Sequence, residues 1–152
     1  VQTYDGRMSD LEIRHRIYQF FADECRAPMA EDIARLIGLS TEDVRLAFRR
    51  LHDRHMIFVE PESGEIRMAN PFSAIATDYR VIHGDKIWWA NCAWDTLGIA
   101  AALRIDVEIE ARHPLDSQQI SLSVVRGEVS NPEQLVYFPL PCRQWYDDLV
   151  YT

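Results

Sequence analysis

Cysteine is scarce in this chain: Cys25, Cys92 and Cys142 are the only three in 152 residues, odd in number and far apart. That excludes a disulfide framework and a CxxC-type zinc site. Free thiols point instead to a reducing compartment, the cytoplasm. Long apolar runs are missing too. Nothing approaches the ~20 residues of a membrane span, so no membrane partner is expected. The N-terminal stretch VQTYDGRMSD is polar and acidic, unlike a signal or transit peptide. Positive charge is in short supply. The net charge is −8, with ten Lys or Arg against thirteen Asp or Glu in residues 1–71 and six against eleven in residues 72–152. Both halves are therefore acidic, which makes a general electrostatic grip on nucleic acid or anionic lipid an unpromising function. Repeats and low-complexity tracts are absent. What remains is an ordinary balance of 47% apolar and 26% charged residues. A chain this long can bury a core without disulfides or metals, as one domain or two small ones.

The first half reads as helices followed by a short extended region. Leu11, Ile13, Ile17, Phe20 and Phe21 recur at helical spacing and predict a helix over about residues 9–25. CRAPMAEDIARLIGLS predicts a loop and a short helix that stops at Gly38. STEDVRLAFRRLHDRHMI opens on Ser40 or Thr41 as N-cap, has acids in its first turn, and carries an apolar stripe of Val44, Phe48 and Leu51. MIFVEPE, the turn SGE and IRMA then predict a β-hairpin. Three helices and a terminal hairpin resemble a winged helix over about residues 8–69. The third helix supplies Arg45, Arg49, Arg50 and Arg54, but Glu42, Asp43 and Asp53 dilute that cluster. A charged, solvated face is the expectation, with nucleic acid an unfavoured partner.

At Pro71 the pattern changes, marking a seam between residues 1–69 and 70–152. HGD reads as a turn between two short strands, and Asn91 as the N-cap of a helix through about Arg104. DVEIEA and ISLSV alternate as strands, with Val107 and Ile109 facing one way. QLVYF and DDLVY are two further strand candidates around the proline-bounded PLPCRQW. The class expected is α+β: a three-helix unit, then a helix packed on a mostly antiparallel sheet.

Within IWWANCAWDTL, Cys92 and Asp95 are three residues apart at the start of the second-half helix, and so share one face. The free amides and positive dipole of a helix start favour a thiolate and predict a lowered cysteine pKa. A thiolate attacks electrophiles and binds soft metals. A carboxyl partly buried among Trp88, Trp89 and Trp94 can hold a proton near neutral pH and deliver it. Residue type and spacing alone leave a second reading open, in which Cys92 is a small buried hydrophobe and Asp95 a helix cap.

PFSAIATDYRV, WWANCAWDTLGIAAAL and the following strand–turn–strand resemble the organomercurial (alkylmercury) lyases over about residues 70–126. The family's Cys-Ala-x-Asp-Thr-Leu core is matched by Cys92, Ala93, Asp95, Thr96 and Leu97, and a winged-helix-like unit precedes it there as here. The resemblance implies carbon–mercury cleavage. Thiolates capture the substrate's mercury, an aspartate transfers a proton to the leaving carbon, and small thiols take the Hg(II) product. Carried over, Cys92 is the first thiolate and Asp95 the acid–base group, with no cofactor. The family's second catalytic cysteine is expected at or just beyond Thr152, where this sequence stops, so the core is expected to be incomplete at its C-terminus. Cys142, in a proline-flanked segment, is the other thiol of this half: read first as a structural or incidental cysteine, with a substitute mercury ligand as the alternative. His113 stands near the place of a further family cysteine and is assigned no role. Asp147 and Asp148, adjacent in a strand candidate, would face opposite sides and cannot form a dyad. Trp145 and Tyr146 are read as packing, and Ser73 as a local cap at the seam. Two alternatives stay open. One is the same scaffold with another substrate, using Cys92 and Asp95 as nucleophile and acid–base pair. The other is a non-catalytic soft-metal-binding or winged-helix regulatory protein.

Overall fold

In the computed structural model, which describes residues 3–4, 8–113, 116–138 and 140–147, the chain folds as α+β around an eight-stranded antiparallel sheet. Strands β1 (Thr3–Tyr4) and β2 (Met8–Ser9) pair with each other and lead into helix α1 (Asp10–Glu24). The start of α1 is written locally. Ser9 is its N-cap, Glu12 N donates to Ser9 Oγ at 3.3 Å, and Ser9 N donates to Glu12 Oε2 at 2.6 Å. This reciprocal capping satisfies amides that have no partner within the helix. Helix α2 (Ala30–Ile37) ends at Gly38, whose φ of 70° is open to a residue without Cβ. Helix α3 (Thr41–Asp53) begins after Ser40, whose hydroxyl accepts from Asp43 N, and it buries Val44, Ala47, Phe48 and Leu51. The hairpin β3 (Phe58–Val59) and β4 (Ile66–Ala69) follows, so three helices and a hairpin occur in the order the sequence predicts.

The arginines of α3 are largely engaged by carboxylates. Arg50 Nη2 lies 3.0 Å from Oδ1 of Asp10, whose side chain is 0% exposed, and Arg54 lies 3.8 Å from the same carboxylate. Arg45 pairs with Glu31 at 2.6 Å. These pairs tie α3 to α1 and α2.

The second half adds β5 (Phe72–Ser73), the hairpin β6 (Tyr79–His83) and β7 (Lys86–Ala90), helix α4 (Ala93–Leu103), then β8 (Val107–Arg112), β9 (Gln119–Val125) and β10 (Glu128–Val129). Gly84, at φ 58°, makes the β6–β7 turn. The strand order is β10-β9-β8-β6-β7-β5-β4-β3, with every neighbouring pair antiparallel. The expected alternation in β8 is present. Val107, Ile109 and Ala111 are buried, while Glu108, Glu110 and Arg112 point the other way.

Strand β5 joins the two halves. Too short to show any periodicity, it is hydrogen-bonded to β4 through Ala69↔Phe72 and to β7 through Phe72↔Ala90. The hairpin of the first half is thereby continuous with the sheet of the second. Phe72 stacks on Phe21 of α1 at 5.2 Å between ring centroids, and Trp88 Nε1 donates to the Phe21 carbonyl at 2.8 Å. A single apolar cluster runs from Ile13 through Phe72 to Val124. Ser73 does act locally, its hydroxyl donating to Ile75 O and accepting from Ile75 N.

Two strand expectations end differently. QLVYF is not a strand: residues 134–138 are irregular, with Leu135 94% and Tyr137 84% exposed. β-Propensity has no effect without a neighbouring strand to pair with. Of DDLVY, Asp147 lies in a turn, and residues 148–151, Asp148 included, are outside the described residues. Cys142 opens a single 3-10 turn, Cys142–Gln144, and is exposed. Trp145 Nε1 donates to Leu140 O and its ring meets Phe138, so it packs as expected, whereas Tyr146, 51% exposed, stacks on His55 at 4.0 Å at the surface. His113 lies 2.9 Å from Asp116. No helix among the described residues is long and apolar enough to cross a membrane.

Candidate active site

Strand β7 ends at Ala90, and two residues later the chain enters α4. Cys92 itself is the N-cap, extended at φ −150° and ψ 177°, one residue later than the expected cap at Asn91. The reason is that Asn91 has other work. Its amide turns back to the seam, with Nδ2 3.0 Å from Asn70 Oδ1, 3.2 Å from Phe72 O and 3.3 Å from Pro71 O. The same nitrogen is 3.1 Å from Asp95 Oδ2. Helix α4 approaches this seam closely because Gly98 has no side chain: a Cβ there would stand 3.1 Å from Pro71 Cβ. Buried Thr96 secures the first turn by donating to Ala93 O at 2.7 Å.

Cys92 caps α4 and Asp95 is the third residue of its first turn, close enough for each to perturb the other's titration. The thiol is partly buried, and its pKa is raised rather than lowered. Burial is the largest cause and the neighbouring Asp95 charge the next, while the amides of Asp95 and Trp94 act the other way. The favourable helix terminus is real but is outweighed by desolvation and a like charge. Asp95 is also pushed up, chiefly by burial, against the lowering effect of hydrogen bonds from Asn91 and Cys92. The direction expected for the carboxyl therefore holds, whereas that expected for the thiol does not.

The aromatic surroundings also differ from expectation. Trp94 is 56% exposed and makes an edge contact with Phe138, and Trp88 points into the core toward α1. Two tyrosines feel the charges of the pair. Tyr79 on β6 is raised by burial with the Cys92 charge contributing, and Tyr18 on α1 is raised by burial with Asp95 among the causes. Tyr18 Oη donates to Asn70 O at 2.9 Å and accepts from Arg14 Nη2 at 3.1 Å. Sequence reasoning read Asn91 only as a helix cap and missed Asn70, Tyr18 and Tyr79. For Tyr18 no local signal exists, because it reaches the site only through the fold. Trp145, which follows the Cys142–Gln144 turn, contacts Phe138, and Phe138 contacts Trp94 at this end of α4, while Cys142 itself is exposed.

Chemically, the arrangement is a thiol and a carboxyl at one helix start, each with its pKa pushed up, chiefly by burial. A soft cation displaces a thiol proton on binding. The adjacent carboxylate can accept that proton and later return it to another atom. Among the described residues no group of three or more His, Cys, Asp or Glu is placed to hold a resident metal.

Fold and site together define an α+β protein carrying a thiol–carboxyl pair at a helix N-terminus on the edge of a sheet-packed core. Residues 72–152 match the family model described as MerB, alkylmercury lyase. The chain belongs to the alkylmercury lyase family. Among solved structures it is similar to one titled "Crystal structure of the mercury-bound form of MerB2", at 25% identity and a TM-score of 0.65, over 80% of this chain. The likeness spans 58% of that longer chain. No curated protein matches the sequence significantly.

Proposed function

We propose that this protein is an organomercurial lyase, cleaving a carbon–mercury bond by thiolate capture and protonolysis. The observation that carries the reading is the placement of Cys92 as the cap of α4 with Asp95 in its first turn, in a chain of the alkylmercury lyase family. Cys92 is the first mercury ligand and Asp95 the acid–base residue. An organomercurial cation R–Hg⁺ meets the thiol, sulfur bonds to mercury, and the thiol proton passes to the Asp95 carboxylate. The carboxyl then protonates the carbon. The C–Hg electron pair becomes the C–H bond, R–H leaves, and Hg(II) stays on sulfur. No electrons are gained or lost, and the aspartate returns to carboxylate. A second thiolate completes linear S–Hg–S coordination. Soft thiolates suit soft Hg(II), and small thiols then carry the ion away. Within this chain the exposed Cys142 is the candidate for that second ligand.

The metal is substrate, so the reaction calls for no cofactor. Free thiols and dependence on small-thiol partners suit a reducing compartment, the cytoplasm. Residues 1–69 form the winged-helix-like unit in this reading and brace the core of residues 70–152 through the β5 seam. The test is release of hydrocarbon from an arylmercury compound in excess small thiol. Turnover by the folded protein, abolished in Cys92→Ser and Asp95→Ala, supports the assignment. No release from wild type refutes the activity, and mercury uptake by Cys92→Ser equal to wild type refutes the site.

A further inference from the structure

Asn91 occupies the one position between the last residue of β7 and the cap of α4, and its side chain is unusually committed. Nδ2 lies within 3.0–3.3 Å of four oxygens: Asn70 Oδ1, Pro71 O, Phe72 O and Asp95 Oδ2. Pro71 O and Phe72 O can only accept, so the orientation of the Asn91 amide is set by its surroundings. Three of the four belong to the seam at residues 70–72, which β4, β5 and β7 hold in register. The opposite end of the amide, Oδ1, is buried with no hydrogen-bond partner. A side chain serving only to tie segments together would satisfy both ends, because a buried unpaired acceptor is destabilising. The arrangement makes sense for what Nδ2 does.

We propose that Asn91 is a positioning residue for Asp95: anchored to the seam, its amide holds Oδ2 and keeps the carboxyl against the Cys92 thiol. Asn91 touches no reacting atom. This inference rests on the proposed lyase reaction for its consequence, although the positioning itself does not. With Oδ2 held by a rigid donor, rotation of the carboxyl is restricted and the proton stays within reach of sulfur and of the carbon bound to mercury. Proton delivery is sensitive to sub-ångström placement, whereas capture of a soft metal by a thiol is not. Asn91 therefore matters to protonolysis and little to capture.

The test takes two measurements on the full chain. In single turnover with phenylmercury, capture is read as the protein–phenylmercury adduct by mass spectrometry, and protonolysis as benzene. Asn91→Ala is expected to capture within about twofold of wild type but release benzene on the order of ten- to a hundredfold more slowly. Equal loss of both steps, or unchanged release, overturns the proposal. The second measurement needs no turnover. Alkylation of Cys92 by iodoacetamide at fixed pH, read by peptide mass, is compared in wild type, Asn91→Ala, Asp95→Asn and the double variant. The Asn91 substitution is expected to change the rate several-fold when Asp95 is present and to have almost no effect in the Asp95→Asn background. The same change in both backgrounds overturns the proposal. If wild type releases no benzene, the lyase reading fails while the alkylation cycle still decides the positioning. Should Asn91→Ala not fold, Asn91→Ser, too short to reach Asp95, takes its place.

Discussion

Phe72→Ala tests whether the two halves of this chain are one cooperative unit. Phe72 is 1% exposed, stacks on Phe21 at 5.2 Å with an interplanar angle of 11°, and receives the edge of Tyr18 at 6.3 Å. Truncating a core phenylalanine costs about 3–5 kcal/mol, the larger values where the surroundings cannot collapse. Here β4 and β7 hold β5 in register from both sides, so the cavity stays open. Two aromatic contacts, each worth roughly 0.5–1.5 kcal/mol beyond burial, are lost as well and lie partly within that range. The expected cost is about 4 kcal/mol, a large share of the roughly 5–15 kcal/mol that holds a typical domain. With a urea slope of about 2 kcal/mol/M, the unfolding midpoint falls by about 2 M. All four tryptophans lie between residues 88 and 145, whereas α1, α2 and α3 dominate the helical signal. Fluorescence therefore reports the second half and circular dichroism mainly the first. The two transitions are expected to coincide in wild type and variant, because one apolar cluster spans both halves. A cost below about 2 kcal/mol, or helices that melt separately from the tryptophans, would refute the reasoning.

Three further outcomes are expected. Trp88→Phe removes the donor to Phe21 O, which keeps its bond from Cys25 N, so the loss is about 1–2 kcal/mol by chemical denaturation and not more. Asp10→Ala leaves Arg50 facing a vacated buried site and costs about 2–4 kcal/mol, read by the same method. Asp95→Asn separates stability from activity. The folded pKa of Asp95 is raised, so its contribution is fully present below the ordinary carboxylate pKa of about 3.9 and is lost as pH rises through the folded value. Near neutral pH the buried charge is then a net cost that asparagine avoids. Thermal melts at pH 4 and pH 8 should show the variant gaining on wild type as pH rises; under the proposed lyase reaction, hydrocarbon release is at least ~100-fold slower. A gain that shrinks with rising pH contradicts the buried-carboxyl account.

The helices were legible because their signals are local. Ser9 with Glu12, Ser40 with Asp43, and Gly38 each complete a helix end within four residues, and Val44, Phe48 and Leu51 bury the stripe their spacing predicts. QLVYF shows the limit of the same logic, since an apolar run becomes a strand only beside another strand. β5 shows the converse: two residues with no pattern of their own are a strand because β4 and β7 flank them.

At the site, the order of residues by itself determined that Cys92 and Asp95 meet at a helix start, since a cap residue and the third residue of the first turn adjoin wherever that helix is placed. Tertiary structure decided their protonation. A helix start alone favours a thiolate, but packing against the seam buries the thiol beside a carboxyl, and desolvation with a like charge reverses the sign. It also decided which residues surround the pair. Asn70 and Tyr18 lie 22 and 74 residues from Cys92 in the chain, and only the sheet and the packing of α1 bring them to Asn91 and Asp95. Local sequence sets which groups can react. Burial and long-range hydrogen bonds, which depend on the whole fold, set the state in which they wait.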